Sequence, residues 1–197
     1  MEFLAGHPHE YLDPGPVVES DHPDVRRLAH DLRTRNADDV DFARAAFEWV
    51  RDQITHSVDA DDSRVTITAS EVLHQGTGLC FAKSHLLVAI LRAERIPAGL
   101  CYQRLTDGER HLLHGLVAVY LANAWHRIDP RGNRSGLDAQ FSLVQERIAY
   151  RTDPKLGERD YRRVFQQPSR TVIDALAGAT DALTLCRRGL PSSLPAG

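Results

Sequence analysis

The stretch Gly78-Leu79-Cys80-Phe81-Ala82-Lys83-Ser84-His85-Leu86-Leu87-Val88-Ala89-Ile90-Leu91-Arg92, closed by Ala93-Glu94-Arg95-Ile96-Pro97, decides the fold. Its centre, Leu86 to Leu91, is apolar on every side. A helix of that kind has no face for solvent and belongs in the middle of a domain. Gly76 and Gly78 reset the backbone before it, and Pro97 closes it off. Cys80 therefore falls in the first turn, where exposed N–H groups and the positive end of the helix dipole stabilise an anion. Thr77 is placed to cap that turn.

On the N-terminal side the period is helical. Ser20 or Asp21 caps a helix running to about Arg35, with Val25, Leu28, Ala29 and Leu32 on one face. Asn36 to Asp39 breaks it, and a second helix follows to about Ile54, striped by Phe42, Ala43, Phe47, Val50 and Ile54. A short strand is expected at Val17-Val18. His56 to Arg64 is a polar loop carrying Asp59, Asp61 and Asp62. Carboxylates suit calcium, but the glycine turn and ligand order of an EF-hand are missing, so a solvated loop is the reading kept. Thr68-Ala69-Ser70-Glu71 is a capping box that starts a short helix ending near Gly76.

On the C-terminal side the period becomes alternating. Gly99 to Thr106, His114 to Leu121 and Trp125 to Asp129 read as three strands, joined through Asp107-Gly108 and Ala122-Asn123-Ala124. Arg131 to Gly136 is a glycine- and arginine-rich loop, and Arg151 to Gln167 an irregular charged stretch. A last helix is expected from about Ser169 to Arg187, with Val172, Ile173, Leu176, Leu183 and Cys186 apolar. Helices first and a small antiparallel sheet after them make an α+β fold.

The 197 residues suit one domain spanning 1–197, with a core of about 40–135 and a C-terminal helical extension of about 165–188. Hydrophobic residues at 42% and charged residues at 26% describe an ordinary globular chain. A net charge of −3 gives no reason to expect nucleic acid or an anionic membrane as partner. No stretch approaches a membrane span, and Met1 to Pro16 lacks the apolar core of a signal peptide, so a cytoplasmic location is expected. Cys80, Cys101 and Cys186 are far apart and odd in number, which is not a disulfide framework.

Cysteine attacks as thiolate, and a free thiol near neutral pH is mostly protonated. Besides the helix start, a nearby imidazolium lowers a thiol pKa by forming an ion pair. A histidine in that role is best held on a strand, with a carboxylate fixing its tautomer. His114 begins one alternating run and Asp129 ends the next. With an even turn such as Ala122-Asn123, Leu121 pairs with Ala124 and Leu116 with Asp129. His114 is then diagonal to Asp129 on the same face. An odd turn would separate them unless a bulge intervened. His126 should face away from Asp129, and His111 should lie in the loop before the strand. Parity separates His111, His114 and His126, so a zinc site is not expected. Cys101 and Cys186 read as core.

The run from Gly78 to Ala98, then His114, then Trp125-His126-Arg127-Ile128-Asp129-Pro130, resembles the transglutaminase-like superfamily over roughly residues 45–135. The resemblance implies a papain-like fold, with the cysteine helix packed on an antiparallel sheet, and a catalytic triad of Cys80, His114 and Asp129. It departs at Gly115-Leu116, where the family has alanine and an aromatic residue. The backbone N–H of Cys80 is the natural first oxyanion donor. Gln75 is either the second, as a glutamine is in papain-like proteases, or a plain helix-end residue. Trp125 is core or pocket wall, Tyr102 a candidate pocket residue, and Asn133 and Asp138 are candidates to support the site. The expected chemistry is thioester formation with a peptide, protein or small amide, followed by hydrolysis or transfer to an amine, without cofactor or metal. The alternative is a binding or scaffold module that keeps the three residues without turning over.

Overall fold

Pro23 sets the first helix. Lacking an N–H, proline suits the first helical position, so the cap falls on the residue before it. In the computed structural model, which describes residues 3–134 and 136–195, α1 is Pro23–Arg33, and the His22 ring accepts the Asp24 N–H at 3.2 Å. The cap is therefore His22, not Ser20 or Asp21. Val17-Val18 is a turn rather than a strand. Val18 is fully buried there, and the Val17 carbonyl accepts the Ala69 N–H at 2.9 Å.

Helix α2 spans Asp39–Gln53, capped by Asp38, and buries Phe42, Ala43, Ala46, Phe47 and Val50. Strand β1 is Thr55–His56. Helix α3, Ala69–Gln75, starts with the expected Thr68/Glu71 capping box and stops at Gly76, whose φ of 67° is left-handed. Strand β2, Thr77–Gly78, lies parallel to β1 and leads into α4, Cys80–Ala93. Every residue of α4 from Cys80 to Arg92 is buried.

The sheet follows: β3 Ala98–Thr106, β4 His111–Leu121, β5 Ala124–Ile128 and β6 Arg159–Asp160, in the order β5-β4-β3-β6 and antiparallel throughout. Strand β4 starts three residues before His114. His111 thus belongs to the strand, opposite Thr106, and not to the loop. Strand β6 lies inside the stretch expected to be irregular. Leu113, Val117, Val119 and Ile128 join α4 and the other helices in the main apolar cluster. Cys101, Leu116 and Ala118 pack with Tyr11, Val164 and Trp125 in a second one.

The expected last helix is broken. Helix α5 covers Arg170–Ala177, and a three-residue helix, Ala182–Thr184, leads into a π-helical turn at Leu185–Gly189. Gly178 caps the first piece, and Asp181 restarts the second by accepting the Thr184 N–H at 2.5 Å. The exit of α4 is tied to both flanks of the chain. Arg92, 2% exposed, donates to the carbonyls of Ala98 (2.9 Å), Asp13 (2.7 Å) and Gln166 (2.6 Å).

Candidate active site

The start of α4 is held differently from its exit. Parallel pairing of β1 with β2 sets Thr55 opposite Thr77 and His56 opposite Gly78. Thr77 is thereby committed to the strand and does not cap the helix. Leu79 takes the N-cap position and offers no side-chain hydrogen bond. The first-turn N–H groups are left open to an anion. Cys80, 7% exposed, stands in that turn. Gly115 on β4 lets the turn approach closely, since a Cβ there would meet Phe81 Cδ1 at 2.6 Å and its Cα at 3.2 Å. The Gly115 N–H donates to Cys80 Sγ at 3.5 Å. The departure from the family pattern at position 115 thus has a packing reason.

His114 and Asp129 are brought together by a tight hairpin. Ala122 (φ 48°) and Asn123 (φ 62°) are both left-handed, the mark of a two-residue type I′ turn. The register runs from Leu121 opposite Ala124 to Val117 opposite Ile128. Strand β5 stops there, and Asp129 is the first residue beyond it. The His114 Nε2–H donates to Asp129 Oδ2 at 2.9 Å. The Asp129 carboxylate, fully buried, also accepts N–H bonds from Arg131 (3.1 Å) and Ala149 (3.0 Å). The Cys80 sulfur lies near enough to the imidazole to interact with it, and the ring meets Tyr150 edge-on at 5.1 Å.

Burial alone would drive the proton off His114. The charge of Asp129 and its hydrogen bond, together with the neighbouring Cys80 sulfur, outweigh it and hold His114 well above its ordinary value. Burial likewise opposes ionising Asp129, but the His114 charge and three N–H donors hold it below the usual carboxylate range. The arrangement can therefore support a charged imidazolium beside a sulfur nucleophile.

A cleft of about 560 Å³ opens over Cys80 and His114, with Leu79, Leu190, Tyr150, Arg131, Cys186 and His56 among its walls. Arg131 is fixed by a bidentate pair with Asp59 (2.6 and 3.0 Å). Asp62 pairs with Arg64. Two carboxylates of the acidic loop are thus engaged by arginines. Among the described residues no group of three His, Cys, Asp or Glu side chains is arranged to hold a metal.

Several residues singled out in the sequence lie elsewhere. Gln75 is exposed at the end of α3 and does not line the cleft. Trp125 packs edge-on against Tyr11 and Tyr120 beside the second apolar cluster. Tyr102 is buried in the main cluster, and its hydroxyl accepts the Ser169 N–H at 3.0 Å. Asn133 accepts the Ala139 N–H and Asp138 pairs with Arg147, so neither touches the three central residues. Cys101 is buried as expected, its thiol pushed up to about 12 mainly by burial. Cys186 is only half-buried: it packs against the main apolar cluster, as expected, and also lines the cleft. Sequence reasoning missed His56, Arg131 and Lys83. The Lys83 ammonium lies under the site and donates to the Arg51 (3.1 Å) and Ile54 carbonyls.

A cysteine-bearing helix packed on an antiparallel sheet defines an α+β fold of the papain-like kind. The family model described as the transglutaminase-like superfamily matches residues 26–130, more than half of the chain, and the chain belongs to that superfamily. No curated protein matches. Among solved structures, a candidate cysteine protease from Cytophaga hutchinsonii is similar with a TM-score of 0.53 and 19% identity, over 61% of this chain and 40% of that one. The periplasmic domain of TgpA from Pseudomonas aeruginosa gives 0.45 and 19%, over 61% and 45%. A TGase gives 0.48 and 18%, over 87% and 53%. The chain spans about half or less of these matched chains, and the likeness is one of fold. Among the described residues no helix is long and apolar enough to cross a membrane.

Proposed function

We propose that this chain is a cysteine-dependent acyl-transfer enzyme, with Cys80 as nucleophile, His114 as acid and base, and Asp129 as the group that orients the imidazole. The observation that carries the reading is the convergence of Cys80 and His114 at one cleft, with Asp129 buried behind His114 at 2.9 Å and Cys80 Sγ against β4. The thiolate adds to an amide carbonyl carbon, and the carbonyl π pair moves onto oxygen. The intermediate collapses as His114 gives its proton to the departing amine, leaving a thioester on Cys80. Water, deprotonated by the now neutral His114, then releases the acid. We favour hydrolysis over amine transfer, because Asp59 and Asp62, the loop carboxylates that could serve a calcium-dependent crosslinking site, are engaged by Arg131 and Arg64. The substrate class is a peptide, protein or small amide.

Thiol labelling tests this without knowledge of the substrate. Iodoacetamide at about pH 6 should alkylate Cys80 ahead of Cys101 and Cys186, whose thiols burial pushes up. Cys80→Ser should abolish acetylation by p-nitrophenyl acetate. Asp129→Asn should slow it by roughly 10²–10⁴-fold, and should slow alkylation most at low pH, because the imidazolium loses its counter-charge. Superimposable alkylation profiles for wild type, Asp129→Asn and His114→Ala would overturn the reading and favour a non-catalytic module.

A further inference from the structure

His56 lines the same cleft as Cys80 and His114, yet the chemistry above gives it no task. Its place is set by backbone. The Thr55 N–H donates to the Gly76 carbonyl at 2.9 Å and the Ser57 N–H to the Gly78 carbonyl at 3.2 Å, so His56 is pinned opposite Gly78, two residues before the nucleophile. The residue is 9% exposed and its Nδ1 is sealed from solvent. Among the described residues the buried Nδ1 has no hydrogen-bond partner. Buried polar atoms are normally paired, and one left unpaired in a native structure calls for an explanation, a catalytic role among them.

We infer that His56 donates a ring N–H to the oxyanion formed when Cys80 adds to a carbonyl, beside the backbone N–H of Cys80. The inference rests on the acyl-transfer reading and supplies the donor that Gln75, exposed on α3, is not placed to be. Burial holds the ring neutral, and so does the charge of Arg131. Asp59 opposes them, Lys83 and His114 reinforce them, and the result is a ring pushed down to about 3. A neutral imidazole keeps one N–H at every pH where the cysteine–histidine pair operates. It stabilises the developing charge by hydrogen bonding alone. The proton for the leaving group still comes from His114, and His56 ends the step unchanged.

The experiment separates the oxyanion from the thiolate. Acetylation by p-nitrophenyl acetate passes through a tetrahedral oxyanion, whereas iodoacetamide alkylation is a displacement at saturated carbon and does not. In the full chain, His56→Phe fills the space without a donor, and His56→Gln retains an N–H. We expect Cys80 acetylation to fall by about 10²–10³-fold in His56→Phe, and to recover at least tenfold of that loss in His56→Gln. The alkylation rate of Cys80 should stay within about twofold of wild type in both. Wild-type acetylation in His56→Phe, equal loss of alkylation and acetylation, or no recovery in His56→Gln would each overturn the donor role. A wild-type protein whose Cys80 alkylates readily but is never acetylated would instead overturn the acyl-transfer reading, and this inference with it.

Discussion

The two ends of α4 are fixed by the same device and left in opposite states. At the exit, Arg92 holds three carbonyls from three separate parts of the chain. Near the start, Lys83 holds two carbonyls at the end of α2. Both cations are buried, and burial lowers both, to about 10 for Arg92 and about 7 for Lys83. Arg92 is thus a charged anchor throughout the neutral range, while Lys83 changes charge within it. The exit turn is tied down, whereas the first turn has no side-chain cap and faces a cleft.

The largest expected effect is at the exit. Arg92→Met keeps the apolar stem but orphans the Ala98, Asp13 and Gln166 carbonyls. It should destabilise the protein by about 3–5 kcal/mol in denaturant melts. Iodoacetamide labelling of Cys80 should be unchanged while the chain stays folded. Slower labelling of folded protein would show that the two ends are not independent.

The Lys83 anchor should reveal itself through pH. Its folded-state value lies below that of the unfolded chain, so between about 7 and 10.5 the unfolded chain holds the extra proton. Stability therefore rises with pH across that window and is flat below it. Relative to Lys83→Met, wild type should gain on the order of 2–3 kcal/mol between pH 7 and 10. A pH-independent difference would mean that Lys83 stays charged when buried.

The smallest effect on stability should come from Gly115→Ala. The added methyl meets the Phe81 ring and backbone, and α4 must back away from β4. A cost of about 1–3 kcal/mol is expected, with acetylation of Cys80 slowed at least tenfold. Loss of stability with full reactivity would sharpen the contrast in the other direction, by showing that close approach serves packing alone.

The legible parts of this molecule are those whose signal is local. Glycine before Cys80, an all-apolar run and Pro97 define α4 without reference to anything distant. The even turn at Ala122-Asn123 fixes the pairing that leads to His114 and Asp129. What was not legible depends on partners far away in sequence. His56 sits in a two-residue strand that exists only because β2 lies beside it, and two residues carry no period. Arg131 finds Asp59 across 72 positions. Gln75, open in the sequence between donor and plain helix-end residue, is the latter for the converse reason: it is near Cys80 in sequence, but the left-handed Gly76 turns the chain between them. The last helix was overread because its apolar spacing continues across Gly178 and Asp181, which end one helix and cap another.

The Ala122-Asn123 turn has a consequence for how such a chain can vary. Hairpin tips on a surface ordinarily accept insertions and deletions freely. Here a one-residue slip of β5 against β4 would rotate every following side chain of β5 to the opposite side of the sheet. Asp129 would leave His114 even though nothing near Cys80 had been altered. The loop's residue identities are negotiable within the demands of a left-handed backbone, but the pairing of Leu121 with Ala124 is not. An added residue is harmless where the tip absorbs it as a longer loop or a bulge, and disruptive where it shifts that pairing.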